Sequence, residues 1–219
     1  MISSYEVFYI NRYQCSCSRM AYILSLSGEV RRLPDMLTLG FPGLYHNQAD
    51  NTVLAFGGGN SSKPQRYIQT YSLTKNQWEM LHEKMRHGHC HFTPCQHLSS
   101  VYLPRAGRTD LEVFSLKTLT IEGVLKFKQM CDLTLAQQPI FSYKNEIYII
   151  FGDSCVKFNF AALKYVEEKR AKLQDCFRFG AAVIKDTLIQ VNFPNYWLIN
   201  LKSWKCIDRC APEVMKMRV

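Results

Sequence analysis

Val53-Leu54-Ala55-Phe56 runs into Gly57-Gly58-Gly59, a polar segment from Asn60 to Arg66, then Tyr67-Ile68-Gln69-Thr70-Tyr71-Ser72-Leu73, a turn at Thr74-Lys75-Asn76-Gln77, and Trp78. The first four residues form a short apolar run of the kind buried on both faces; the glycines end it, and the segment after the polar loop alternates with period two. This order predicts three consecutive antiparallel strands, with residues 60–66 as a loop and Trp78 opening the last strand.

The same order returns along the chain. Ile147 to Phe151, Gly152-Asp153, Val156 to Phe160 and Tyr165 make one copy; Val101 to Leu103, the loop Pro104 to Asp110, Leu111 to Leu116 and Ile121 make another. In all three copies an aromatic of the third strand and the residue opening the fourth are seven apart: Tyr71 and Trp78, Phe114 and Ile121, Phe158 and Tyr165. A later copy reads Tyr196 to Leu201 and then Trp204, with a shorter turn. An earlier one reads Ala21 to Leu26 and then Val30. The residue opening the last strand recurs every 39 to 48 residues, roughly the length of one four-stranded propeller blade. A single such unit cannot cover its own apolar faces, so units of this kind stack radially.

At these residues the chain resembles the kelch family, whose repeat is an apolar strand, a double glycine, a Tyr about a dozen residues on and a Trp several residues later. Gly57, Gly58, Tyr71 and Trp78 carry the resemblance, together with Arg86 and His89 at the opening of the next repeat. It implies an all-β, kelch-type β-propeller. The repeats of this chain make about five four-stranded antiparallel blades, fewer than the six or seven familiar in kelch propellers. A fragment of a larger ring, or a tail that starts a blade completed by another molecule, stays open beside a closed five-blade ring. The expected blades are residues 1–34 plus 213–219, 35–84, 85–130, 131–175 and 176–210, in a single domain over 1–219. Inner strands are expected to begin near Arg86, Gln137 and Arg178. The chain starts with the second strand of a blade, and the alternating tail Glu213-Val214-Met215-Lys216-Met217-Arg218-Val219 is expected to supply the missing inner strand. Physically, the glycines permit positive φ and close backbone approach, while Tyr71 and Trp78 fill the space between blades.

Composition agrees with an all-β chain: 219 residues carry twelve Tyr and thirteen Phe, an enrichment that suits half-buried strands. Twenty-seven Lys and Arg against 18 Asp and Glu give a formal net charge of +9, which favours an acidic partner. Nine scattered cysteines lack the dense framework of a small secreted domain, and no apolar run is long enough to span a bilayer. These features read as reduced thiols in a cytoplasmic protein without membrane insertion.

The residue types that carry chemistry gather at His87-Gly88-His89-Cys90-His91, with Cys95 and His97 beyond. On a strand His87, His89 and His91 share one face, and imidazoles with a thiolate suit zinc or copper. This supports a rival reading, a metal-binding protein or metal-dependent enzyme. The competing reading makes the segment the inner strand of a blade, with His89 at the position the kelch resemblance gives it and the others lining a wet channel, with no cofactor. Cys15-Ser16-Cys17 is too tight for an ordinary disulfide and reads as incidental thiols. Gly57-Gly58-Gly59 reaches Lys63-Pro64 instead of a helix-opening Gly-Lys-Ser, so no phosphate loop is expected, and no Ser-hydrolase elbow occurs. Glu167-Glu168-Lys169-Arg170 reads as a solvated mixed-charge segment of the kind a helical turn presents.

Lys63 and Arg66 fall in one loop between second and third strands, and Arg105 and Arg108 in the next. Equivalent loops emerge on one face of a propeller, so these four residues are the expected binding patch. The expected function is a non-catalytic protein-binding scaffold. The kelch resemblance implies partners such as cytoskeletal proteins or ubiquitin-ligase substrates. Nucleic acid is disfavoured, since no recognition fold or aromatic RNA-binding signature accompanies the charge.

Overall fold

The structure is a computed structural model that describes residues 6–10, 19–25, 29–60, 62–90, 92–104, 110–126, 140–151, 154–159, 164–170, 181–192 and 195–210. Every regular element among these residues is a β-strand, and every strand pairing is antiparallel. No helix among them is long and apolar enough to cross a membrane.

The first sheet has three strands in the order β1 (Glu6–Ile10), β2 (Ala21–Ser25), β3 (Val30–Arg32). The second contains β4 (Gly43–Asn47), β5 (Thr52–Phe56), the two-residue β6 (Gly59–Asn60), β7 (Lys63–Ser72) and the long β8 (Gln77–His89). The third runs β9 (Cys95–His97), β10 (Ser100–Pro104), β11 (Asp110–Ser115), β12 (Ile121–Lys126). The fourth runs β13 (Ile140–Tyr143), β14 (Glu146–Phe151), β15 (Ser154–Asn159), β16 (Lys164–Arg170). The fifth runs β17 (Ala181–Ile184), β18 (Thr187–Asn192), β19 (Asn195–Asn200), β20 (Lys205–Cys210). The first, third, fourth and fifth are meanders of sequence neighbours; in the second, β5 pairs β7, which also pairs the short β6 and β8.

The apolar runs are continuous because most sheets are covered on both faces. In β5, Val53 and Ala55 pack with Ala21, Ile23, Tyr71 and Trp78 against the first sheet, while Leu54 and Phe56 pack with Val101, Leu103 and Phe114 of the third. In β14, Ile147 and Ile149 join Tyr102, Leu111 and Val113 of the third sheet, while Tyr148 and Ile150 join Leu188 and Ile199 of the fifth. Neighbouring side chains thus serve different interfaces. The sheets stack face to face in chain order, and the first strands β9, β13 and β17 touch in turn. This arrangement is compatible with a propeller.

The hairpins repeat as well. Asn76, Leu119 and Trp204 all have positive φ, and each donates its N–H to the carbonyl four residues earlier, on Ser72, Ser115 and Asn200. The Cα partners across the third and fourth strands are Tyr71 and Trp78, Phe114 and Ile121, Phe158 and Tyr165, and Ile199 and Cys206. The sequence-based placement of Trp204 is corrected here: it is the turn residue, and Cys206 holds the position equivalent to Trp78. Trp204 drew that placement because its ring is needed nearby, 5.5 Å from the Tyr148 ring.

Three further expectations change. Residues 60–66 are no loop: a tight hairpin pairs Gly59 and Asn60 with Pro64 and Lys63, and β7 starts at Lys63. Arg86 to His89 do not open an inner strand, because they continue β8, and the inner strand of the third sheet is β9. Residues 167–170 belong to strand β16. The C-terminal tail, residues 213–219, lies outside the described residues.

Candidate functional site

Three backbone segments converge on the glycine run. Gly57 N–H donates to Tyr67 O (2.8 Å), Gly58 N–H to His89 O (2.9 Å) and Gly59 N–H to Leu39 O (2.6 Å). Gly57 and Gly58 have φ of 74° and 121°, and a Cβ on either would meet His89 O at 2.2 Å or Leu39 O at 2.6 Å. No side chain fits there, which is the physical reason for the double glycine. Tyr71 is buried at the interface with the first sheet, its ring 5.2 Å from that of Trp78, whose indole N–H donates to Pro34 O at 2.9 Å.

His89, at the position the kelch resemblance assigns to it, is fully buried. Its Nδ1 lies 3.0 Å from Pro104 O and its Nε2 3.1 Å from Glu112 Oε1. The carbonyl can only accept, so Nδ1 carries a proton. Glu112 also accepts the Arg86 N–H (2.9 Å) and the His87 N–H (2.8 Å), the environment of an ionised carboxylate. Nε2 faces that carboxyl oxygen. The result is a buried histidine–carboxyl pair joining the second and third sheets.

Burial alone would raise the Glu112 carboxyl, but the hydrogen bond and charge of His89 and the N–H groups of Arg86 and His87 outweigh it. They hold the group below its ordinary value. A carboxyl depressed in the folded state stabilises above its unfolded value, about 4.3, and that stability is lost as pH falls through the folded value. Urea unfolding measured between pH 7 and pH 3 should show a loss of stability below about pH 4.3 that shrinks in Glu112→Gln. An identical acid profile in the two proteins would contradict this pairing.

Among the described residues, the other members of the His and Cys cluster form no metal-holding group with His89. His87 contributes its N–H to Glu112, and His91 lies outside the described residues. Cys95 is buried, which pushes its thiol up to about 12, and His97 packs edge-on to Tyr102. Among the described residues no group of three His, Cys, Asp or Glu is placed to hold a metal. Cys15 and Cys17 lie outside them, as do Arg105 and Arg108.

Lys63 and Arg66 are exposed but sit on strand β7, not in a loop. The turn before them is shaped by Asn60, whose Oδ1 accepts the N–H groups of Ser62 (3.0 Å) and Lys63 (2.8 Å). Arg66 Nε donates to Met85 O at 2.6 Å. Sequence reasoning missed Glu112. Its signal is a carboxylate at an alternation position shared with Phe114, facing the second sheet, within Leu111-Glu112-Val113-Phe114.

No family model matches the chain, and no curated protein matches it. Among solved structures, one titled "Structure of YjhT" is similar over 90% of this chain and 70% of that chain, with a TM-score of 0.60 and 12% sequence identity. At that identity the chain shares an overall fold with that structure.

Proposed function

We propose that the chain is a kelch-type β-propeller of five blades, its first blade completed by residues 213–219, and that it works as a non-catalytic scaffold binding an acidic protein surface. The observation that carries the binding reading is the tie made by His89. Its carbonyl accepts from Gly58, at the base of the hairpin that leads to Lys63 and Arg66, while its ring holds Pro104, the residue before Arg105. One residue thus fixes the bases of two neighbouring connections that carry basic side chains. The formal net charge of +9 adds long-range attraction for an acidic partner. By the kelch resemblance, cytoskeletal proteins and ubiquitin-ligase substrates are the partner classes to examine.

The test is charge reversal of Lys63, Arg66, Arg105 and Arg108 to Glu, read with a polyglutamate peptide as the probe. Binding should fall at least about tenfold, the equivalent of ~1.4 kcal/mol, and its salt dependence should flatten. The fold should hold, because exposed substitutions of this kind cost little stability. Unchanged binding with an unchanged salt slope removes this face from the proposal.

A further inference from the structure

A buried carboxylate is costly to desolvate, and a well-packed apolar side chain often does as well for stability alone. Glu112 is retained in a strand where Leu111, Val113 and Phe114 fill the core, and its oxygens are spent on a single segment, Arg86 to His89. That segment is irregular. Tyr67 pairs with Lys84 and Gln65 with His89, so four residues of β8, Met85 to Gly88, stand opposite the one residue Arg66 of β7. The N–H groups of Arg86 and His87 turn to Glu112, and the Met85 carbonyl is left to take the Arg66 Nε. Gly88 permits the crossing, since a Cβ there would lie 2.4 Å from Pro64 O.

We infer that Glu112 is a positioning residue for the basic side chains at the start of β7: it shapes the β8 bulge on which Arg66 rests and, through His89, whose carbonyl accepts from Gly58, fixes the base of the hairpin that leads to Lys63. This rests on the binding role proposed above. The pair joins β8 to β11, so loosening it should free the β8 bulge and the Lys63–Arg66 end of β7 while the fourth and fifth sheets stay closed. The charged and titratable groups near it are Arg86, His87 and His89 on β8 and Asp110 on β11, which stands opposite Lys126 in the β11–β12 strand register.

The experiment compares wild type, Glu112→Gln, Glu112→Asp and the double variant Glu112→Gln/His89→Gln by amide hydrogen exchange and by polyglutamate binding. In Glu112→Gln, exchange of residues 85–89 and 110–112 should accelerate about tenfold or more while β14 and β18 keep their protection. Binding should weaken, and adding Lys63→Glu and Arg66→Glu should weaken it less than in wild type, because coupled residues are not additive. The double variant, with a neutral amide pair, should recover part of both losses relative to Glu112→Gln. Glu112→Asp, which keeps the charge, provides the comparison if Glu112→Gln does not fold. Exchange that rises equally in all five sheets, or binding that is unchanged despite local opening, overturns the inference. If the four-site reversal leaves wild-type binding intact, the binding role fails on its own, and local opening around Glu112 shows that separately.

Discussion

Trp78→Ala is expected to lower the free energy of unfolding by about 3 to 5 kcal/mol, the range for truncating a large buried aromatic. Trp78 is 7% exposed and lies among Ala21, Ile23, Leu33, Met36, Val53, Ala55 and Tyr71, so its ring is shared by the first and second sheets. Neither sheet can close over the void without the other moving, and that keeps the cavity cost high. The substitution also removes the donor to Pro34 O, in the segment that crosses from β3 toward β4. Tyr71 loses a ring contact and keeps its bond to Asn76. Far-UV circular dichroism against urea is the measurement of choice, since it does not depend on the tryptophan removed. A change below about 1 kcal/mol, the ordinary size for a surface site, would mean that Trp78 does not bridge these sheets.

What could be read from the sequence was what repeats. The seven-residue step from Tyr71 to Trp78 is the cross-strand pairing of the last hairpin in the second to fifth sheets, and the continuous apolar runs at Val53 and Ile147 reflect sheets covered on two faces. Where composition stood in for geometry, the reading slipped. Lys63-Pro64-Gln65-Arg66 is polar because this end of β7 is exposed, and polarity was taken for a loop. His87, His89 and His91 alternate like a new strand, yet Arg86 to His89 continue β8 through a bulge whose Arg86 and His87 N–H groups donate to Glu112. That acceptor is 26 positions away from Arg86, and local pattern does not reach that far. Trp204 misled for a related reason: an αL turn residue is usually small, and here tertiary packing against Tyr148 placed an indole there.

Deleting residues 213–219 is expected to destabilise the protein strongly or drive it to aggregate. The first sheet explains why. Its strands β1, β2 and β3 pair as the second, third and fourth strands do in the other sheets, and among the described residues β1 has no neighbour on its far side. In the four sheets that follow, that place is held by β4, β9, β13 and β17, of which β9, β13 and β17 touch in turn. An open strand at the corresponding place would expose a row of unpaired backbone groups beside the core made by Ala21 and Ile23. Residues 213–219 have the pattern to fill it: Met215, Met217 and Val219 alternate with Lys216 and Arg218, as a strand with one apolar and one polar face requires. Such pairing would join the two ends of the chain in one sheet, so each residue of the tail would stabilise the whole ring and not only its own blade. Size-exclusion chromatography and thermal unfolding of the truncated protein read the outcome directly. A monomer with an unchanged midpoint would rule out closure by this segment, whereas replacing Met215 and Met217 with Asp should reproduce much of the loss, because charge on the apolar face blocks the pairing without shortening the chain.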